Sequence, residues 1–476
     1  MSGFVSAVRR PLAAVSLLSI LTVSQAAAQA PAAIHEDVKA TASALRQQAL
    51  QGTKAFDIVR SLTVEVGPRP AGSKAHDAAV EWGLRTLKGL GFSNVHAEKA
   101  TVPHWVRGEE SGEIVAPWPQ PVHLAALGGS VGTPEGGIEA PVISVPSLEA
   151  VDKLDPAQVK GKIVFFDVHM KRTRDATGYR DAVPMRGAGA SRAAKLGAVA
   201  VLIRSVGTDN NRTPHTGAMR YQDDVPKIPA AALSVPDAEL LAAQIASGKP
   251  VTFRLKLGAR MLPPVESASV VGEIPGREKP EEIVLLGAHL DSWDLGTGAI
   301  DDGAGVAIVT EAARIIGQLP KKPRRTIRVV LYANEEFGLS GGRAYAEAHK
   351  DELSRHVVAT EADLGDGRVW QISSRVDPAA LPLIADLARL LEVEQGGNES
   401  GGGADISTLA PARVPIIGLA QDATTYFDYH HTANDTLDKI VVKDLDQCVA
   451  SWAAVAYVIA EMPGTLGRAP EGAGQE

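Results

Sequence analysis

A single cysteine, Cys448, in 476 residues excludes an intrachain disulfide. Aromatic residues are scarce at 4%, which speaks against platforms that stack nucleobases or sugars. Basic residues are outnumbered, with 48 Lys and Arg against 56 Asp and Glu, giving a net charge of −8. That balance does not fit a general nucleic-acid-binding surface. Beyond the first 30 residues no stretch approaches 18 apolar residues without a charge, so no membrane span is expected in the mature chain. No internal repeat and no low-complexity tract is found. What is present is an ordinary globular composition, 45% hydrophobic and 22% charged.

Residues 1–30 read as a secretory signal peptide. Arg9 and Arg10 form a basic start, Leu12 to Val23 an apolar run, and Ala26, Ala28 and Ala30 offer small residues for cleavage. An uncleaved anchor is the competing reading, and the run is short for it. Cleavage would remove two arginines and no acid, taking the net charge to −10. A periplasmic or secreted destination follows.

The rest divides by texture. Residues 31–104 carry helical patterns, from about His35 to Gln51, from Phe56 to Val64, and after Ser73, which is placed to cap a helix ended by Gly89 and Gly91. Residues 105–264 alternate short apolar runs with Gly and Pro and read as an inserted, strand-rich domain. Residues 265–463 alternate strand and helix: strands at 283–287, 326–333, 357–360 and 414–419, helices at 303–319, 342–355 and 381–391, and an amphipathic C-terminal helix. This predicts an α/β fold, a mostly parallel mixed sheet sandwiched by helices. Residues 464–476 are expected to be disordered.

Acidic and histidine residues recur at strand ends in this third segment. His289 and Asp291 follow one strand, and Asp301 and Asp302 open a helix after a glycine-rich loop. Glu335 and Glu336 follow a second strand, Asp363 a third, and His430 and His431 lie beyond a fourth. Ligand sites of open parallel sheets lie outside the carboxyl ends of the strands, so these loops can converge. Histidines and carboxylates without cysteine suit zinc, with cobalt or manganese as alternatives. A two-metal hydrolytic site needs one carboxylate touching both ions, and Asp301 is placed for it. Asp291 can hold the second ring nitrogen of His289. Of the adjacent Glu335 and Glu336, one can ligate while the other acts as a general base. Singly, each signal is ordinary: a solvated loop histidine, an N-cap aspartate, an exposed Glu pair, a turn at Asp363–Gly367. Their joint occurrence singles out a site.

The segments His289-Leu-Asp-Ser-Trp-Asp294, Gly298-Ala-Ile-Asp-Asp-Gly-Ala-Gly305, Asn334-Glu-Glu-Phe-Gly-Leu339, Glu361-Ala-Asp363 and His430-His-Thr-Ala-Asn-Asp-Thr436 occur in order. With Gly67-Pro-Arg-Pro-Ala-Gly-Ser73 they resemble the co-catalytic di-zinc exopeptidases of the aminopeptidase and glutamate carboxypeptidase type, in particular a dipeptidase-like group with an inserted protease-associated domain. The resemblance spans about residues 35–462. It implies two zinc ions: His289 and Asp363 on one, Glu336 and His431 on the other, Asp301 bridging. Glu335 would be the general base, Asp291 would orient His289, and His430 would lie behind the ligands or face the oxyanion. Gly401-Gly-Gly-Ala-Asp405 is either a pocket wall or a plain loop. Gly342 departs from the serine of many relatives. The implied reaction is hydrolysis of dipeptides or short peptides with an unblocked N-terminus, by a metal-bridged hydroxide. A homodimer is implied by the resemblance alone. Two rivals share the fold, a zinc acyltransferase of the glutaminyl-cyclase type and a non-catalytic receptor.

Overall fold

A computed structural model describes residues 1–4 and 33–471. Most of the expected signal peptide and the last five residues lie outside the described residues. Among the described residues no helix is long and apolar enough to cross a membrane.

Three helices come first: α1 (Glu36–Leu50), α2 (Ala55–Glu65) and α3 (Lys74–Gly89). Val38, Ala42, Leu45 and Ala49 recur at helical spacing and form the buried stripe of α1. Ser73 caps α3, its side chain accepting from the His76 amide. Strand β1 (Ser93–Val106) then leads to the insertion, and β2 (Arg260–Ile274) returns from it. The chain continues through β3 (Lys279–His289), α4 (Ala304–Gly317), β4 (Arg325–Tyr332), α5 (Ser340–Ala348), β5 (His356–Glu361), β6 (Val369–Arg375), α6 (Leu381–Leu391), β7 (Ile416–Gln421) and α7 (Val442–Glu461).

These strands form one mixed sheet in the order β1-β2-β4-β3-β5-β7-β6, with a short edge piece at 394–395. The central strands β4, β3, β5 and β7 are parallel, while β1, β2 and β6 join antiparallel. Strands β4 and β5 are buried along their whole length, as a sheet covered on both faces requires. Alternation along β3 divides the core. Val284, Leu286 and Ala288 pack beneath α1, α2, α4 and α7, whereas Ile283 and Leu285 pack with Tyr345 and Ile406 on the opposite face. The insertion carries a second eight-stranded sheet, built from residues 110–257. It adjoins the first through the β1–β2 ribbon, which pairs from Ser93/Glu273 to Val106/Arg260.

Two expectations are corrected. The helix expected at 342–355 runs from Ser340 to Ala348, and only Leu353–Arg355 adds a further helical turn. It stops at His349, whose ring turns to Glu98 at 2.8 Å and Glu352 at 2.6 Å. Residues 464–471, expected to be disordered, pack on the fold, with Leu466 fully buried. Arg325, itself fully buried, donates to the carbonyls of Ile459, Met462 and Gly464, as a buried cation requires, and Arg468 of the tail donates to the carbonyls of Leu353, Ser354, His356 and Ala412. Strands β1, β2 and β6 lack the strand–helix rhythm that revealed the others.

The start of β5 holds a titratable group. His356 is buried, its Nδ1–H donates to the Glu352 carbonyl and its Nε2 accepts from Tyr345. Burial is the main cause that pushes its pKa down to about 4. The unfolded chain binds a proton near pH 6.5 while the folded chain does not, so stability is lost as pH falls from about 6.5 toward 4. We expect His356→Gln to remove ~2 kcal/mol of that pH dependence, measured as the change in unfolding free energy between pH 7.5 and pH 5. A slope identical to the wild type's would contradict it.

Candidate metal centre

The register of the parallel strands sets which residues meet. His289 stands level with Tyr332 across β3 and β4, and Gly287 stands level with Glu361 across β3 and β5. The chain segments carrying His289, Glu335–Glu336 and Asp363 therefore leave the sheet side by side. Asp301 arrives at the start of α4, and His431 from the loop after β7. The result is three overlapping groups of ligand atoms, each within 4.8 Å: His289, Asp302 and Asp363; His289, Asp301 and Glu336; Asp301, His430 and His431.

Asp301 is common to two groups, and its two oxygens face different histidines. Oδ1 lies 3.1 Å from His289 Nε2 and Oδ2 lies 3.2 Å from His431 Nε2. Asp363 Oδ1 is 3.3 Å from His289 Nε2, and Glu336 Oε2 is 3.0 Å from His431 Nε2. Both imidazoles are oriented by main-chain carbonyls. His289 Nδ1 lies 3.0 Å from Asp291 O, and His431 Nδ1 lies 3.3 Å from Thr216 O. A carbonyl only accepts, so each Nδ1 carries a proton, and Nε2 is the ring atom left for a metal, or in its absence a second proton, to sit between the ring and the carboxylate oxygens. Acceptors facing acceptors need positive charge between them. Around His289 burial opposes a second proton, but Asp363, Asp291 and Asp301 outweigh it and hold the ring well above the usual imidazole range. At His431 burial prevails and the ring stays below that range. Asp301 Oδ2 and Glu336 Oε1 are buried with no hydrogen-bond partner. This donor set fits divalent cations.

The carboxylate of Asp291 takes a different place from the one expected. Its Oδ1 lies 3.7 Å from His289 Nδ1 and accepts instead from the Glu335 amide at 3.0 Å. It pins the Glu335–Gly338 turn, while its carbonyl orients the histidine. Asp302 accepts from the His289 and Gly305 amides, a cap as well as a neighbour of the cluster. Burial, then the Asp363 charge, hold the Glu335 carboxyl well above the usual carboxylate range. His430 stacks on His431 with ring centroids 3.5 Å apart, its Nε2 3.7 Å from Asp301 Oδ2. Burial, then the neighbouring His431, push its pKa well down. Asp405 is fully buried beside Glu361, outside the three groups, with neither carboxylate oxygen hydrogen-bonded. Its neighbour Ala404 lines the cavity next to the site.

Three supports escaped the sequence reading. Arg69 is fully buried, and its guanidinium donates to the carbonyls of Leu290 (2.6 Å), Thr297 (2.8 Å) and Gly298 (2.9 Å). The motif at 67–73 is thus a brace for the loop between His289 and Asp301. Asp435 accepts from the Ile300 and Asp301 amides. The inserted domain presses on the centre as well. The Thr216 amide donates to His431 O, and His215 Nδ1 donates to His430 O. Trp293 and Phe337, from the loops after β3 and β4, pack into the inserted domain's core beside Trp105. A cavity of about 270 Å³ lies between the domains, lined by Tyr179, Arg186 and Arg220 on one side and Glu335, Glu336 and His431 on the other.

Buried carboxylates and carbonyl-oriented histidines at the carboxyl edge of a parallel sheet, with a free carboxylate beside a cavity, define a metal-dependent hydrolase. The comparisons with known proteins agree. Residues 269–456 match the model of peptidase family M28, and residues 112–241 match the PA domain. Carboxypeptidase Q of Mus musculus is 37% identical over 439 residues, 91% of this chain and 91% of that protein. Carboxypeptidase Q of Homo sapiens is 36% identical, covering 87% of each. The crystal structure of a peptidase M28 precursor from Shewanella amazonensis shares 47% identity and a TM-score of 0.90, covering 91% of this chain and 99% of that one. A zinc aminopeptidase from Bacillus subtilis shares the fold at 20% identity with a TM-score of 0.63, over 88% of this chain and 98% of that one. The chain belongs to peptidase family M28, as a metallopeptidase carrying a PA domain and related to carboxypeptidase Q.

The contact between the domains passes through Gly217, at φ +131°. A Cβ there would sit 2.3 Å from Arg186 Nη1 and 2.7 Å from His431 Nδ1. Gly217→Ala is expected to displace the His431 ring and weaken metal retention at least about tenfold, with the fold kept. Metal titration of the refolded apoprotein checks this; wild-type affinity would contradict it.

Proposed function

We propose that the chain is a secreted or periplasmic di-zinc exopeptidase that hydrolyses dipeptides or short peptides with an unblocked N-terminus. The observation that carries the reading is the shared Asp301, whose two oxygens face two different histidines. His289 and Asp363 would hold one zinc, Glu336 and His431 the other, and Asp301 both. When bound, such a pair acidifies a water and polarises the scissile carbonyl.

The chain's own residues do the rest. Glu335 lines the cavity beside Glu336, and the Asp291 carboxylate fixes its main chain. Its raised proton affinity suits a group that accepts a proton from the attacking water and passes it to the leaving amine. His430, its pKa pushed well down by burial, sits against Asp301 and His431, where it would support the ligands from behind or face an oxyanion. The packing of Trp293 and Phe337 into the inserted domain closes the cleft on a small volume, which suits short substrates. Export rests on the basic pair and apolar run of residues 9–23.

Glu335→Gln is expected to retain metal and lower kcat at least about 100-fold, with little change in KM. Turnover close to wild type would remove Glu335 from the role of base. A panel of unblocked dipeptides beside their N-acetylated forms tests the substrate class. Release of amino acids from the unblocked set alone is expected. Equal cleavage of both sets would contradict an enzyme that reads the free amine.

A further inference from the structure

We propose that His215 and Asp209 of the inserted domain are a positioning pair for the metal centre, holding the main chain of His431 in the conformation that aims its imidazole at Glu336 and Asp301. The inference rests on the di-zinc reading above and deepens it by assigning the retention of one of the two ions to side chains outside the peptidase domain.

His431 has φ +63°, in the left-handed region that is uncommon for any residue but glycine. Such a conformation persists only where the surroundings over-determine it. Relaxation to a negative φ would swing the Cβ, and the ring with it, away from Glu336 Oε2 at 3.0 Å and Asp301 Oδ2 at 3.2 Å. The two peptide units that flank the His431 Cα are each gripped at the carbonyl. His215 Nδ1 lies 2.7 Å from His430 O, and the Thr216 amide donates to His431 O at 3.0 Å. The Thr216 carbonyl meanwhile holds the His431 ring at Nδ1, 3.3 Å away. Two consecutive residues of the inserted domain therefore fix both backbone torsions of His431 and its ring. Thr216 acts through its main chain, whereas His215 acts through a side chain that substitution can remove.

His215 is itself built into place. It is 1% exposed, and its second ring nitrogen lies 2.7 Å from Asp209 Oδ1. Both nitrogens meet acceptors, so a hydrogen lies in each contact. The carboxylate behind the ring polarises it and strengthens the bond in front, as a carboxylate does behind a ligating histidine. Asp209 is buried too, and its other oxygen accepts from the Asn211 amide at 2.8 Å. The His215 amide donates to Ser205 Oγ, which follows the buried strand Ala200–Arg204, and Ser205 Oγ donates to the Leu233 carbonyl. Gly207 gives the ring its space, since a Cβ there would overlap Nε2 and Cε1 of His215. The pair thus stands on the core of the inserted domain. The same domain ties the approach to the ligand as well. The Thr208 amide donates to the Phe427 carbonyl at 3.0 Å, and Arg172 grips both carboxylate oxygens of Asp428 at 2.6 and 2.9 Å. Those anchors stop at residues 427 and 428, and the contacts of His215 and Thr216 carry the hold on to His431.

The test separates a positioning role from mere filling of space. His215→Phe keeps a ring of similar bulk and removes both nitrogens, whereas His215→Asn sets an amide donor where Nδ1 stands and gives up Asp209. The full chain is stripped of metal, zinc is titrated back, and bound ions are counted by mass spectrometry. Two ions are expected in the wild type. His215→Phe is expected to hold one of them within about threefold of wild-type affinity and the other at least about tenfold more weakly. His215→Asn is expected to recover most of that loss. Because the phenylalanine leaves the Asp209 carboxylate buried without its partner, Asp209→Leu/His215→Phe is measured beside it, with the same loss of one ion expected. Wild-type affinity for both ions in the phenylalanine variants, or an equal loss in His215→Asn, overturns the proposal. Crystal structures of the metal-free proteins decide it without zinc or turnover. A His431 φ that turns negative in the phenylalanine variants, and stays near +63° in the wild type and in His215→Asn, sustains the proposal; a positive φ in all of them overturns it. Fewer than two ions in the wild type would sink the di-zinc reading and leave the torsion to decide the positioning pair.

Discussion

Two imidazoles with their Nδ1 protons tied to main-chain carbonyls, and one aspartate between them, are the constraint around which the centre is built. The carbonyls of Asp291 and Thr216 decide the tautomers. The tautomers turn the Nε2 atoms onto Asp301, Asp363 and Glu336. That arrangement is unfavourable without cations and favourable with them, because ligands must be deprotonated to bind and the charges offset each other only across a metal. The buried braces follow from the same need for fixed geometry. Arg69 spans the loop from Leu290 to Gly298, and Asp435 holds the amides of Ile300 and Asp301, so that the Asp301 carboxylate is aimed from both sides.

The candidate ligands His289, Glu336 and Asp363 were legible in the sequence because each sits within four residues of a strand end, whereas Asp301 and His431 lie 12 and 10 residues beyond one and were read from their place in the chain order. A hydrophobic run that stops at a histidine or acid is a local signal, and the strand–helix rhythm says which ends share an edge. The brace at Arg69 was visible only as a motif, since its partners are carbonyls more than 200 residues away. The part played by Asp291 was half legible. Proximity to His289 could be read from the spacing, but not that the carbonyl would reach the ring while the carboxylate turned to Glu335. Strands β1, β2 and β6 join antiparallel at the margins of the sheet, where neither length nor crossover pattern announces them. The packed tail at 464–471 was missed because its anchors are guanidinium-to-carbonyl bonds across the chain, from Arg325 to Gly464 and from Arg468 to Leu353, Ser354, His356 and Ala412, which leave no local pattern.

The inserted domain was the least legible part, since its residues carry no ligand signal of their own. Its contribution is made by backbone and packing. Thr216 gives a carbonyl to His431, Gly217 gives the room for that approach, and Trp105 packs edge-on against Trp293 and tilted against Phe337. A sequence pattern records side chains, so a carbonyl that completes a metal site leaves no trace in it. The same domain closes one wall of the cavity beside Glu335 and Glu336. It therefore shares in forming the catalytic centre as well as its entrance.

A two-cation centre requires one aspartate, Asp301, to serve both ions. Metal content per chain, measured by mass spectrometry at limiting and saturating zinc for the wild type and for Asp301→Asn, tests it directly. Two ions are expected in the wild type, with loss of both together, by at least about tenfold in affinity, in the variant. A single ion in the wild type, or two ions held with unchanged affinity after Asp301→Asn, would contradict it.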